Sequence, residues 1–241
     1  MTSQDIDALF HFVSKATDSQ LHSLDESRLE WVPYMRGRSS IRTAVRALRK
    51  AVEKCPLRSG RLERLAFFYS WLSPYNLIRP WTLMRYSSSV ASQDPDPVAL
   101  LRRIESSMWL LGRKGTSQRT RTGSSVFACL LVEDNEPEAP AHVVCLGCWR
   151  WLPYLVVYAP AEKIHGDLSV VLAAVMDCDP ALLTCGTYED LNDAYTAAVV
   201  DGACSINDCP RRMAERRLRD MNEGEPSAAV QREQRRRAST I

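Results

Sequence analysis

Between Arg36 and Lys54 the chain reads RGRSSIRTAVRALRKAVEK, and the spacing of its apolar residues leaves one ordered choice. Ile41, Ala44, Val45, Leu48, Ala51 and Val52 recur every three or four positions, the repeat of a helix buried on one side. Ser39 and Ser40 stand where an N-cap is needed, since a serine hydroxyl accepts from the free amides of a first turn. At about 100° per residue, Arg42, Arg46, Arg49 and Lys50 fall on a separate stripe, with Arg36 and Arg38 leading into it. A helix divided in this way packs on one face and can hold a polyanion on the other; a merely solvated basic face fits the same pattern.

The flanking chain extends the helical reading. Ile6, Leu9, Phe10 and Val13 predict a first helix capped by Thr2 or Ser3. Leu21, Leu24, Leu29 and Val32 predict a second from about Ser19 to Val32, stopped by Pro33. Cys55-Pro56 ends the helix that starts at Ser40, and Leu62, Leu65, Phe68 and Leu72 place another over Arg58 to Leu72. Short helices in roughly 70 residues bury little apolar surface by themselves, which favours self-association. SPYN, RP, SSS and DPDP then interrupt every long period over 73–97, as in a linker. Beyond it come a helix from about Val98 to Leu111 and a basic, polar loop, GRKGTSQRTRTGSS. Short β-rich runs follow at Ser125–Val132, Val143–Arg150 and Pro153–Tyr158. DLSVVLAAVM at 167–176 predicts a helix buried on that sheet, and Thr187-Tyr188-Glu189-Asp190 a capping box for a last helix over 189–200. The expected organisation is α+β: a helical domain over 1–72, a linker over 73–97, an antiparallel-sheet-plus-helix domain over 98–205, and a flexible basic tail over 206–241.

Several elements of the first third, taken in order, carry a family resemblance. They are Ile6-Asp7-Ala8-Leu9-Phe10, Val13, Lys15, Arg28-Leu29, Arg36-Gly37-Arg38, Ile41-x-Thr43-Ala44-x-Arg46-Ala47 and Val52-Glu53. This series resembles the N-terminal RNA-binding domain of the influenza virus non-structural protein 1 family, and Arg79-Pro80-Trp81 with Leu83-Met84 resembles the start of that family's effector domain. The resemblance implies three helices per subunit in a symmetric six-helix homodimer that binds double-stranded RNA, followed by an effector domain that binds host proteins. It further implies a non-enzymatic viral protein that suppresses host innate immune, interferon-inducing responses from the host nucleus and cytoplasm. Arg28 matches a family arginine that touches RNA, and Arg36, Arg38 and Ser40 fall on its loop residues; Arg42 and Arg46 are added by periodicity. The family's central arginine and lysine fall near Trp31 and Tyr34, which are not basic. Duplex RNA is read by shape, phosphates and 2′-hydroxyls, so a face of arginines suits it without sequence preference.

Charge placement agrees with a polyanionic partner at the ends. Residues 1–70 hold 12 Lys and Arg against 8 Asp and Glu, and the tail from Ile206 holds 9 against 6. No apolar run reaches the ~18 residues of a membrane span, and the N-terminus lacks a signal-peptide pattern, so no membrane partner is expected and the 8 cysteines read as thiols. His142, Cys145 and Cys148 have the residue types for a zinc site, but their run also reads as a strand with alternating faces. No phosphate-binding loop, G-x-S-x-G, H-E-x-x-H or G-x-G-x-x-G occurs, so neither catalysis nor a cofactor is expected. Ser239-Thr240-Ile241 fits a C-terminal PDZ ligand, with Ser239 and Ile241 making the side-chain contacts. Two alternative classes stay open: a structural, matrix-like protein holding genome or anionic membrane, and a zinc-dependent interaction module.

Overall fold

The run SVFACLLVE has apolar residues on both sides of a strand, so a sheet that contains it must be covered twice. The computed structural model, which describes residues 3–86, 96–133, 139–150, 152–176 and 184–207 (202–207 as backbone only), covers it twice. Before the sheet come helices α1 (Ser3–Val13), α2 (Asp18–Ser23), α3 (Ile41–Glu53) and α4 (Arg58–Leu72). Strand β1 (Trp81–Arg85), helix α5 (Pro97–Leu110), and strands β2 (Lys114–Thr122), β3 (Ser125–Glu133), β4 (His142–Trp149) and β5 (Tyr154–Tyr158) follow. Helix α6 (Glu162–Met176), strand β6 (Thr184–Tyr188) and helix α7 (Leu191–Asn207) complete the described chain. The fold is mixed α+β, with one antiparallel sheet in the order β2-β3-β4-β5-β1-β6. Met1–Ala198 form one compact unit and Val199–Ile241 a second.

Alternation along each strand sends the two sets of side chains to two cores. Phe127, Cys129, Leu131, Cys145, Trp149, Tyr154, Val156 and Trp81 face one way and join α4, α1, α3 and the start of α7. Val126, Ala128, Leu130, Val144, Leu146, Cys148, Leu155 and Val157 face the other way and pack on Leu101, Ile104 and Met108 of α5 and Leu168, Val171 and Leu172 of α6. Helix α4 is buried nearly all round because it lies between the sheet and the outer helices. A Cβ at Gly147 would come within 2.7 Å of the Phe127 ring and 2.8 Å of Val156, so a bare backbone there lets the ring lie across β4.

Three sequence expectations beyond the helical layer change. The stretch 73–97, read as linker, carries β1, which pairs with β5 and β6 in mid-sheet. Six residues between Pro80 and the serines are too few for their alternation to stand out. The loop read at GRKGTSQRTRTGSS is largely β2, an edge strand whose polar period carries no hydropathy signal; its turn into β3 uses Gly123 at φ +57. The last helix starts at Leu191, where Asp190 Oδ1 accepts from the Asn192 amide at 2.6 Å, while Thr187 belongs to β6 opposite Thr82. The tail calls, Ser239 and Ile241 included, fall outside the described residues.

Candidate nucleic-acid interface

Helix α3 begins where its serine permits. Ser40 is extended (φ −165, ψ 156), its hydroxyl accepts from the Thr43 amide at 3.3 Å, and its own amide donates to Thr43 Oγ1 at 3.2 Å. Ser40 is therefore a cap as well as a candidate contact. Ala44, Leu48 and Val52 are buried, and the opposite face exposes Arg42, Arg46 and Lys50. At ~1.5 Å rise per residue those three cations span about 12 Å of helix.

The loop feeding this helix is held from below. Met35 is buried, and Asp25 accepts from the amides of Met35 (2.6 Å) and Arg36 (3.0 Å). The Arg38 amide closes a turn onto the Met35 carbonyl at 3.1 Å, with Gly37 at φ +102, a conformation that favours glycine. Arg38 Nε donates to the Tyr34 carbonyl at 3.1 Å. Arg36 and Arg38 thus project from an ordered turn, with the Arg36 side chain 59% exposed. An Asp25→Ala chain is expected to lose about 2 kcal/mol, since hydrogen bonds to a charged group are worth ~1.5–3 kcal/mol each and the two amides can recover water. Faster hydrogen exchange at Met35 and Arg36, with slow exchange retained in α4, is the measurement that checks it.

The second helix is shorter than its apolar spacing suggests. It runs from Asp18 to Ser23, tightens into a 3-10 turn over Leu24–Ser27, and ends at Arg28 in the left-handed region (φ 54). The Asp25 contacts explain the break: the carboxylate that a continuing helix would expose is spent on the following loop. Arg28 is exposed three residues from that carboxylate. Trp31 is half-buried and edge-on to Phe67 (5.5 Å) and Phe68 (5.6 Å), with the Arg64 guanidinium 4.9 Å from its ring centroid. It packs the helical layer, whereas Tyr34 is 66% exposed beside the basic turn.

From Arg28 to Lys54 the chain holds eight Lys and Arg against two Glu. One cation on the stripe is already neutralised: Arg49 binds Asp7 and Glu53, each at 2.7 Å, and these carboxylates raise its pKa. Among the described residues, Arg42, Arg46 and Lys50 have no ion-pair partner. Lys50, read from the sequence as part of the basic stripe but not among the six candidate RNA contacts, joins the face.

The zinc constellation separates. Cys145 and Cys148 are three apart on β4 and enter opposite cores, and His142 lies six residues from Cys148, about 20 Å along a strand. The three cannot share one ion, and no metal-holding group of three His, Cys, Asp or Glu occurs among the described residues. Cys145 stands opposite Cys129, and burial pushes the Cys129 and Cys148 thiols well up, away from the thiolate a metal needs. No protein family and no curated protein sequence matches the chain.

Proposed function

We propose that this protein is a non-enzymatic regulator that binds double-stranded RNA through the outer face of α3 and the turn before it. The observation that carries this reading is a run of exposed cations, Arg36, Arg38, Arg42, Arg46 and Lys50, on a turn and helix whose opposite sides are anchored in the core. Such a face neutralises phosphates and reads no bases, which suits the shape-based recognition of A-form duplexes. The resemblance to the influenza non-structural protein 1 family adds the biological setting: sequestering RNA from host sensors, with the α+β part of the chain binding host proteins, in the host nucleus and cytoplasm. That family's symmetric homodimer would place two such faces side by side. Leu9, Leu48 and Val52 are already covered within one chain, so each RNA face is complete without a second copy.

The test is fluorescence anisotropy of the full chain with a labelled RNA duplex and a DNA duplex of the same sequence, titrated across salt beside sedimentation of the same samples. The expected result is tighter RNA binding that weakens steeply with salt. Equal affinity for both duplexes removes the RNA preference, and salt-independent or absent binding removes the proposal.

A further inference from the structure

Strands β3 and β4 pair without a register break from Ser125 opposite Trp149 to Val132 opposite His142, and midway Cys129 stands directly opposite Cys145. One hydrogen bond fixes the kind of pair. The Arg150 amide donates to the Ser124 carbonyl at 2.9 Å, so Ser125 and Trp149, which these two residues bracket, exchange no backbone bonds with each other. The pattern alternates along an antiparallel ladder, so Phe127 with Gly147, and then Cys129 with Cys145, are pairs of the same kind. In such a pair the Cα atoms are about 4.5 Å apart and the side chains are at their closest, inside the ~4.4–6.8 Å that a disulfide spans. Both cysteines enter the core shared with α4, both are 0% exposed, and Cys145 hydrogen-bonds the Cys129 thiol. Cys148 enters the opposite core and cannot join them.

We propose that Cys129 and Cys145 are a site of reversible oxidation, at which a small, uncharged peroxide converts the two thiols to a cross-strand disulfide. One sulfur, as its thiolate, attacks a peroxide oxygen; the O–O bond breaks, and a sulfenic acid and water result. The second sulfur attacks the sulfenic sulfur, the S–S bond forms, and the hydroxyl leaves as water with the second thiol's proton. Two thiols and one hydrogen peroxide thus give one disulfide and two waters. Packing selects this product. The disulfide adds no atom to the core, whereas a sulfinic acid or a glutathione adduct needs space between the Phe127 ring, which lies across Gly147, and Tyr158, which stands opposite Cys145 on β5. Access selects the oxidant. The next pair facing the same core, Leu131 with Val143, lines a cavity of about 370 Å³ together with Tyr69 and Tyr158. That cavity brings a molecule of peroxide's size to within one residue pair of the sulfurs, while α4 and the sheet keep a tripeptide disulfide out. Burial, and then the Cys145 neighbour, push the Cys129 thiol well up, so the reduced pair rests as slowly reacting thiols.

The full chain is treated with hydrogen peroxide, alkylated, and digested after glutamate without reduction; cleavage after Glu133 or Glu138 separates Cys129 from Cys145. The expected result in mass spectrometry is a Cys129–Cys145 link, lacking two hydrogens and released by dithiothreitol. Oxidised glutathione in place of peroxide should leave the folded pair reduced. The link closes the 15 residues 130–144 in the unfolded chain, so the melting temperature should rise by roughly 6–12 °C and return on reduction. Cys145→Ala should abolish both the link and the rise, and Cys148→Ala should keep both, with far-UV circular dichroism reporting that each variant is folded. The map of the unaltered chain decides by itself should either variant fail to fold. No Cys129–Cys145 link in the folded chain, a link that forms only in urea, equal reaction with oxidised glutathione, or a link that lowers the melting temperature would each overturn the proposal. None of these outcomes depends on whether the chain binds RNA.

Discussion

A Phe68→Ala chain should lose about 3–5 kcal/mol of stability, and should lose it from the helices and the sheet in a single transition. Phe68 is fully buried in α4, with the rings of Phe67 at 5.5 Å, Trp31 at 5.6 Å, Phe10 at 5.9 Å and Trp71 at 6.3 Å around it. Those neighbours come from α1, the basic loop and α4 itself, so one truncation opens a void at the centre of the helical layer. The loss is a large share of the ~5–15 kcal/mol of a whole domain. Its distribution is the more informative result. Helix α4 buries Leu62, Leu65, Ala66 and Tyr69 in a core shared with Phe127, Cys129 and Leu131 of the sheet, and Ser70 Oγ lies 3.0 Å from Thr120 Oγ1 on β2. Guanidinium titrations followed by far-UV circular dichroism and by tryptophan fluorescence should therefore shift together, and a peptide of residues 1–72 should not fold alone. Two separable transitions, or a folded 1–72 fragment, would restore an independent helical domain with its boundary near Ser73.

That boundary shows where sequence reasoning succeeds and where it stops. Helices α1, α3, α4 and α5 are legible because each repeats apolar residues at helical spacing over several turns, and β3, β4 and β5 because runs such as YLVVY have strand length and β-branched content. Strand β2 is invisible to the same test: KGTSQRTRT has no apolar face, and its edge position, long pairing with β3 and cover by α4 are decided by tertiary contacts. The short second helix has a similar cause. Leu29 and Val32 fit the period, yet Asp25 holds the amides of Met35 and Arg36 and turns the chain away. At the candidate interface, the cations of α3 were legible from their angular spacing. The neutralisation of Arg49 was only half so: Glu53 lies one helical turn away in sequence, whereas Asp7 arrives from α1.

Replacing Arg36, Arg42 and Arg46 together by Ala should reduce RNA affinity by roughly 500-fold at 0.1 M salt and lower the slope of log affinity against log salt by about 2.7, at ~0.9 per phosphate contact. The fold should survive. All three side chains are exposed, and Ala is the better helix former at positions 42 and 46. Net charge alone is controlled by an Arg102→Ala/Arg103→Ala/Lys163→Ala chain, which also takes the formal charge from +2 to −1 but does so on α5 and α6, across the sheet from α3. That control should keep most of its affinity and nearly all of its slope, because screening at ~0.1 M leaves distant charges little influence on a bound phosphate. Arg49 is unsuitable as a control: removing it would release Asp7 and Glu53 as unpaired carboxylates beside the face and repel RNA for a second reason. Equal losses in the two triple variants would mean that the chain attracts RNA by its total charge, and α3 would then be a solvated helix with no particular claim on the ligand. A loss confined to the Arg36, Arg42 and Arg46 variant locates binding on the turn and helix that Met35, Asp25 and Leu48 hold in place.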